Sequence, residues 1–197
     1  MTATVRSLLS AGAACALLAG CVSFGSEAPP QLLTLTSTAA PGAGSMASAS
    51  VTDAIVVDVP SVERTLDQVR VPVQVSDSAI AYVQDAVWAD KPARLFRTVL
   101  AETLAAKSGR LVLDQVETGA ERSTMLSGQL QRFGYDEDRR AVIVRFDAVV
   151  RKPGSPLRKQ RFEASVAVAT VDAVTVGAAL NQAANTVAAE VAAWTTG

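Results

Sequence analysis

The chain has 197 residues, 49% of them apolar, with 18 basic and 19 acidic side chains and no histidine. A formal charge of −1 supplies no electrostatic drive toward nucleic acid, and no nucleic-acid partner is expected. The missing histidine excludes Ser-His-Asp and Cys-His nucleophilic sites and removes the commonest zinc ligand; with neither G-x-G-x-x-G nor G-x-x-x-x-G-K-[ST] present, the chain reads as a non-enzyme without metal or cofactor.

Arg6 is the sole charge among the first twenty residues, and Leu8 to Gly20 holds only Leu, Ala, Gly, Ser and Cys. That run is shorter than the roughly 20 residues a membrane span needs. A basic start, a short apolar stretch and small residues before a break describe a signal peptide, residues 1–20. Its last three positions with the next one, Leu18-Ala19-Gly20-Cys21, resemble the lipobox of bacterial lipoproteins. That resemblance implies a diacylglycerol on the Cys21 thiol, cleavage before Cys21 and an acyl chain on the new amine. Three acyl chains exceed the two signals that stable anchoring takes. Removing residues 1–20 of 197 leaves 177 residues and, with Arg6 gone, a formal charge of −2. Cys15 leaves with the peptide, so the mature chain has no disulfide. Residues 21–30 form a tether; nine residues reach at most about 30 Å.

A single domain is expected over residues 31–197. Leu33 and Leu35 alternate with polar neighbours and suggest a first strand over 31–37. Residues 38–50, TAAPGAGSMASAS, read as a flexible loop. Ile55, Val57 and Val59 begin a strand that Pro60 stops, and 61–68 reads as a turn or a single helical turn. A strand over 69–75 and its return over 79–84 make a hairpin; Pro72 cannot donate to a ladder, which calls for an edge or a bulge.

Asp90 is placed to cap a helix with Pro92 in its first turn, Leu95, Phe96, Val99, Leu100 and Leu104 on one face, and Gly109 just past its end. Strands follow over 111–113, 124–133, 141–151 and 157–170. In the third of these Val142, Val144, Phe146, Ala148 and Val150 face one way, with Arg145, Asp147 and Arg151 on the other, as for a sheet covered on one side. Asp136, Glu137 and Asp138 read as a solvated hairpin tip rather than a paired-acid site. Asp172 is placed to cap a last helix, 173–194, with the stripe Val176, Leu180, Ala184, Val187, Val191 and Trp194. The fold class is therefore α+β: a mixed, mostly antiparallel sheet of about six or seven strands packed against two helices.

The lipobox, the Leu-rich first segment and the stretch IVVDVPSVERTLDQVRVPVQVSDSAIAYVQDAVWADKPARLFRTVLAETL, Ile55 to Leu104, resemble the ABC-type transport auxiliary lipoproteins. Val59-Pro60 followed by Leu66-Asp67, Tyr82 followed by Trp88-Ala89-Asp90, and the Ala/Leu closing helix around Leu180 carry the resemblance. The family implies a supporting role at the inner leaflet of the outer membrane, facing the periplasm, beside an MCE-domain protein and its ABC permease and ATPase. The implied cargo is phospholipid or a similar hydrophobic molecule, and a homo-oligomer follows by analogy. No catalytic residue carries over.

Two residues are candidate partner contacts, Tyr82 and Trp88, because exposed aromatics suit interfaces. The competing reading buries the Trp88 ring beneath the helix and lets Tyr82 cap its strand. Two further functions stand beside the auxiliary role: a lipid-binding carrier, which needs an apolar cavity of about 300 Å³ or more, and a generic envelope-assembly lipoprotein.

Overall fold

A computed structural model describes residues 31–113 and 122–197. The signal peptide, Cys21 and the tether lie outside the described residues. Eight strands and two helices are present among the described residues. The strands are β1 (Ile55–Val57), β2 (Ser61–Val62), β3 (Arg70–Ser76), β4 (Ala79–Val87), β5 (Val112–Leu113), β6 (Thr124–Asp136), β7 (Ala141–Arg151) and β8 (Arg158–Ala167), and the helices are α1 (Pro92–Ser108) and α2 (Ala173–Thr196).

The long strand β6 is the spine of one open mixed sheet. On one flank β7 and then β8 run antiparallel. On the other flank three short pieces lie along β6 in turn, all parallel to it: β1 beside 124–126, β2 beside 129–130 and the middle of β3 beside 135–136. β5 extends this flank beyond β1, and β4 extends it beyond β3. Pro60, which has no N–H to give a ladder, stands between β1 and β2. Pro72 sits at a register shift between β3 and β4, so the bulge is present although β3 is an interior strand.

Several boundaries differ from the sequence reading. Residues 61–68 begin with β2, because two residues find partners on β6 before the chain turns away. β4 runs to Val87, β6 runs on to Asp136 and β8 stops at Ala167. Asp90 stands one position too early to cap α1: the N-cap is Lys91, whose amide N–H donates to Asp90 Oδ1 at 2.7 Å, and no side chain caps the helix. Asp172 does cap α2, accepting from the Thr175 amide at 2.8 Å. Gly109 closes α1 at φ 65°, a left-handed conformation that lets its N–H reach Ala105 O.

Both helices share a core with the sheet face carrying Leu126, Leu130, Phe133, Val144, Phe146 and Val150. The α2 stripe from Val176 to Val191 is buried as its spacing predicts, and Ala183, Ala188 and Ala192 beside it keep the helix close. That apolar stripe belongs to the core shared with the sheet. No described helix is long and apolar enough to cross a membrane. An aromatic chain crosses the core: Trp88 to Phe133 at 5.4 Å, Phe133 to Phe96 at 6.4 Å and Phe96 to Phe146 at 5.4 Å between ring centres. Such pairs add about 0.5–1.5 kcal/mol each beyond their burial.

Candidate functional site

The expected first strand does not join a ladder. Residues 31–38 form instead an extended strap whose β contact is a single bridge, Leu33 with Trp88. The Leu33 amide donates to Val87 O at 2.7 Å and Leu33 O accepts from the Ala89 amide at 2.8 Å. Leu33 then packs so closely on α2 that a Cβ added at Gly177 would meet its Cδ2 at 2.7 Å. The alternation seen in the sequence is real, with Leu35 and Ser37 buried between exposed neighbours. What receives it is a helix.

Two amides of α2 replace the missing ladder. The Thr36 amide donates to Asn181 Oδ1 at 2.9 Å. Buried Asn185 donates through Nδ2 to Thr36 O at 2.9 Å and accepts through Oδ1 from the Thr38 amide at 2.8 Å. Ser37 Oγ lies 3.1 Å from Thr103 Oγ1, which ties the strap to α1 as well. The strap thereby bridges both helices and the end of β4. From the sequence, Asn181 and Asn185 only looked like interruptions of an apolar helix. Their one-turn spacing beside an extended polar segment was the available signal.

The two aromatic candidates separate. Trp88 is 1% exposed and packs on Phe133, so it is corrected from partner contact to core residue. Its indole Nε1 has no hydrogen-bond partner among the described residues. Tyr82 lies on the helix-free face, where the Arg70 guanidinium stacks 4.2 Å from its ring centre and Gln68 Nε2 donates to its hydroxyl. It is partly exposed and remains a candidate contact.

The helix-free face of β6, β7 and β8 is a charged ladder. Asp147, its side chain 7% exposed, accepts both arms of Arg161 at 2.6 and 2.8 Å, with Lys159 at 3.7 Å. The Arg161 hydrogen bonds hold the Asp147 carboxyl below the ordinary carboxylate range, against the opposing effect of burial. Burial pushes the Glu163 carboxyl up, but hydrogen bonds and charge from Arg145 and Arg139 outweigh it and leave it lowered. The acidic tip is only partly solvated: Asp136 is 9% exposed, pairs with Arg132 at 3.3 Å and accepts from the Arg139 amide, while Glu137 and Asp138 are exposed. Among the described residues no group of three His, Cys, Asp or Glu is arranged to hold a metal ion.

The sequence profile of the family described as ABC-type transport auxiliary lipoprotein component matches residues 33–192. The chain belongs to that family. The match begins at Leu33, the first strap residue fixed by the fold, and ends within the last turns of α2. As an auxiliary lipoprotein of ABC transport, the protein works in the cell envelope, in association with an ABC transporter and in a supporting role.

Solved structures agree on the fold. Protein XCC0632 from Xanthomonas campestris, assigned to DUF330, is similar at a TM-score of 0.69 and 19% identity, covering 84% of this chain and 94% of its own. A crystal structure of an uncharacterized protein is similar at a TM-score of 0.64 and 19% identity, covering 73% of this chain and 92% of its own. At that identity the likeness concerns the fold alone. No curated protein matches the sequence significantly.

Proposed function

We propose that this auxiliary lipoprotein is anchored through an acylated Cys21 in the inner leaflet of the outer membrane, and that it supports an MCE-type intermembrane lipid transport system by docking rather than by catalysis. The observation that carries the reading is the strap. A lipid anchor is useful to a bridging protein only if the chain behind it is held to the folded body. Here residues 33–38 are hydrogen-bonded to β4 and to α2 and packed against Gly177.

The carrier reading has less to support it. A cleft of about 310 Å³ opens on the helix-free face, but Arg132, Arg145, Asp136 and Gln131 line it, and a acyl chain prefers apolar walls. The core beneath the helices is filled by side chains.

The test has two arms. Cells fed an alkyne fatty acid should label the wild-type protein and leave Cys21→Ser unlabelled; equal labelling of both overturns the anchor. Crosslinking in native membranes should recover an MCE-domain protein with the wild type; recovery of none overturns the docking role.

A further inference from the structure

The β7–β8 hairpin and the end of α2 form a feature that the auxiliary role leaves unused. Residues 151–161 read RKPGSPLRKQR, five cations and no carboxylate in a chain whose formal charge is −1. Leu157, at the end of the turn, is 66% exposed. Trp194, on the last turn of α2, is only partly buried, with its ring edge-on to Phe162 at 5.6 Å. Arg158 is held 4.8 Å from the centre of that ring and donates to Trp194 O at 2.7 Å. Lys152 and Arg158 flank a cavity of about 230 Å³ that Val150, Ser155 and Pro156 complete. Arg161 and Lys159 are paired with Asp147, which leaves Lys152 and Arg158 as the cations at the cavity, and Glu190 is exposed one turn before Trp194 on α2.

We propose that this hairpin is a docking tip for an anionic phospholipid surface. An exposed Leu and a Trp ring flanked by Lys and Arg is the composition that settles at the boundary between headgroups and acyl chains. The cation-lined cavity suits a headgroup phosphate, which Lys and Arg recognise through charge-assisted hydrogen bonds. A narrow turn with one protruding apolar side chain matches a soft, charged surface better than the broad packed patch that a protein partner needs.

The strap runs along α2 from Gly177, which Leu33 touches, to Asn185, which holds Thr38, and the hairpin meets the helix at Trp194. The Leu33 contact at Gly177 is seventeen residues from Trp194, about 25 Å along a helix axis. The Leu33 end of the strap and the basic tip therefore lie toward opposite ends of α2.

The experiment uses the full lipoprotein purified from membranes in detergent. It is reconstituted in phosphatidylcholine vesicles, and a second, fluorescent population is added, made either of phosphatidylcholine alone or with phosphatidylglycerol. Capture of the phosphatidylglycerol vesicles is expected, with a shift in tryptophan emission from Trp194, since Trp88 is sealed in the core. At about fivefold per cation, Lys152→Gln should weaken capture about fivefold. Leu157→Ser, which leaves every charge in place, should weaken it as well and guards against a misfolded charge variant. Capture that is equal for both lipid compositions, absent, or unchanged in these variants overturns the proposal. So does binding to polyglutamate beads without binding to phosphatidylglycerol, which would assign the tip to an acidic protein. The proposal rests on the reading of Cys21 only for the first attachment. Protein that fails to stay on the first vesicles refutes the anchor, and it is then floated directly with the phosphatidylglycerol vesicles, where failure to bind refutes the tip.

Discussion

Replacing Asn185 by Ala should release the strap. Asn185 is 8% exposed and makes three bonds to it: Nδ2 to Thr36 O at 2.9 Å, and Oδ1 from the amide and the hydroxyl of Thr38 at 2.8 and 3.1 Å. At about 1 kcal/mol net for each bond, the loss is about 3 kcal/mol. For a domain of this size that corresponds to a fall in Tm of about 6–12 °C. Thr186→Ala on the same helix is the control. Thr186 is exposed and its hydroxyl donates only to Gln182 O within α2, so the change should stay within about 0.5 kcal/mol. Urea unfolding followed by circular dichroism reads both variants. Limited proteolysis adds a local readout: in Asn185→Ala, cleavage before Ala54 should quicken more than cleavage elsewhere. A loss below 1 kcal/mol, or equal proteolysis of the two variants, would show that Leu33 and Leu35 hold the strap without the amides.

Two other outcomes follow from the geometry. Asp147, Glu163 and Asp172 all have carboxyl groups lowered in the folded state. Lowered groups contribute stability that is fully present above their unfolded values, near pH 4, and is lost as the pH falls through the folded ones. Stability should therefore decline below about pH 4, and Asp147→Asn should lower it at pH 7 while flattening the acid limb; an unchanged limb in urea titrations would refute the assignment. Gly128→Ala should destabilise by about 3 kcal/mol, the upper range for overpacking, because its Cβ would stand 2.2 Å from Asp147 O and 2.7 Å from the Phe146 ring. A melting temperature like that of the wild type would mean that β6 and β7 separate there without cost.

Some elements were legible because their causes are local. The stripe of α2, the Asp172 cap, the Gly109 stop and the inward face of β7 follow from side-chain period and backbone preference, which a helix or strand carries wherever it is placed. The strap was legible only as alternation. Leu33 and Leu35 point inward in any extended segment, but nothing in their spacing says whether a strand or a helix receives them. β2 was missed because two residues make no period, and the Asp90 cap was misplaced by one position because Lys91 turns into the helix instead. Trp88 and Tyr82 look alike as aromatics of one strand region, yet one is sealed beside Phe133 and the other stacks with Arg70 on the open face.

The amino-acid order alone determined that no histidine-based chemistry is available, that the family is the ABC-type transport auxiliary lipoproteins, and that two helices cover one face of a sheet. The tertiary structure alone decided that Asn181 and Asn185 act as a clasp, that the pieces of 55–76 run parallel to β6, and that the basic hairpin meets the last turn of α2 at Trp194. The division has one physical reason. Burial period and capping are properties of neighbouring residues, whereas the bonds from Thr36 to Asn181 and Asn185 join residues about 150 positions apart, and such pairs exist only once the chain has closed on itself.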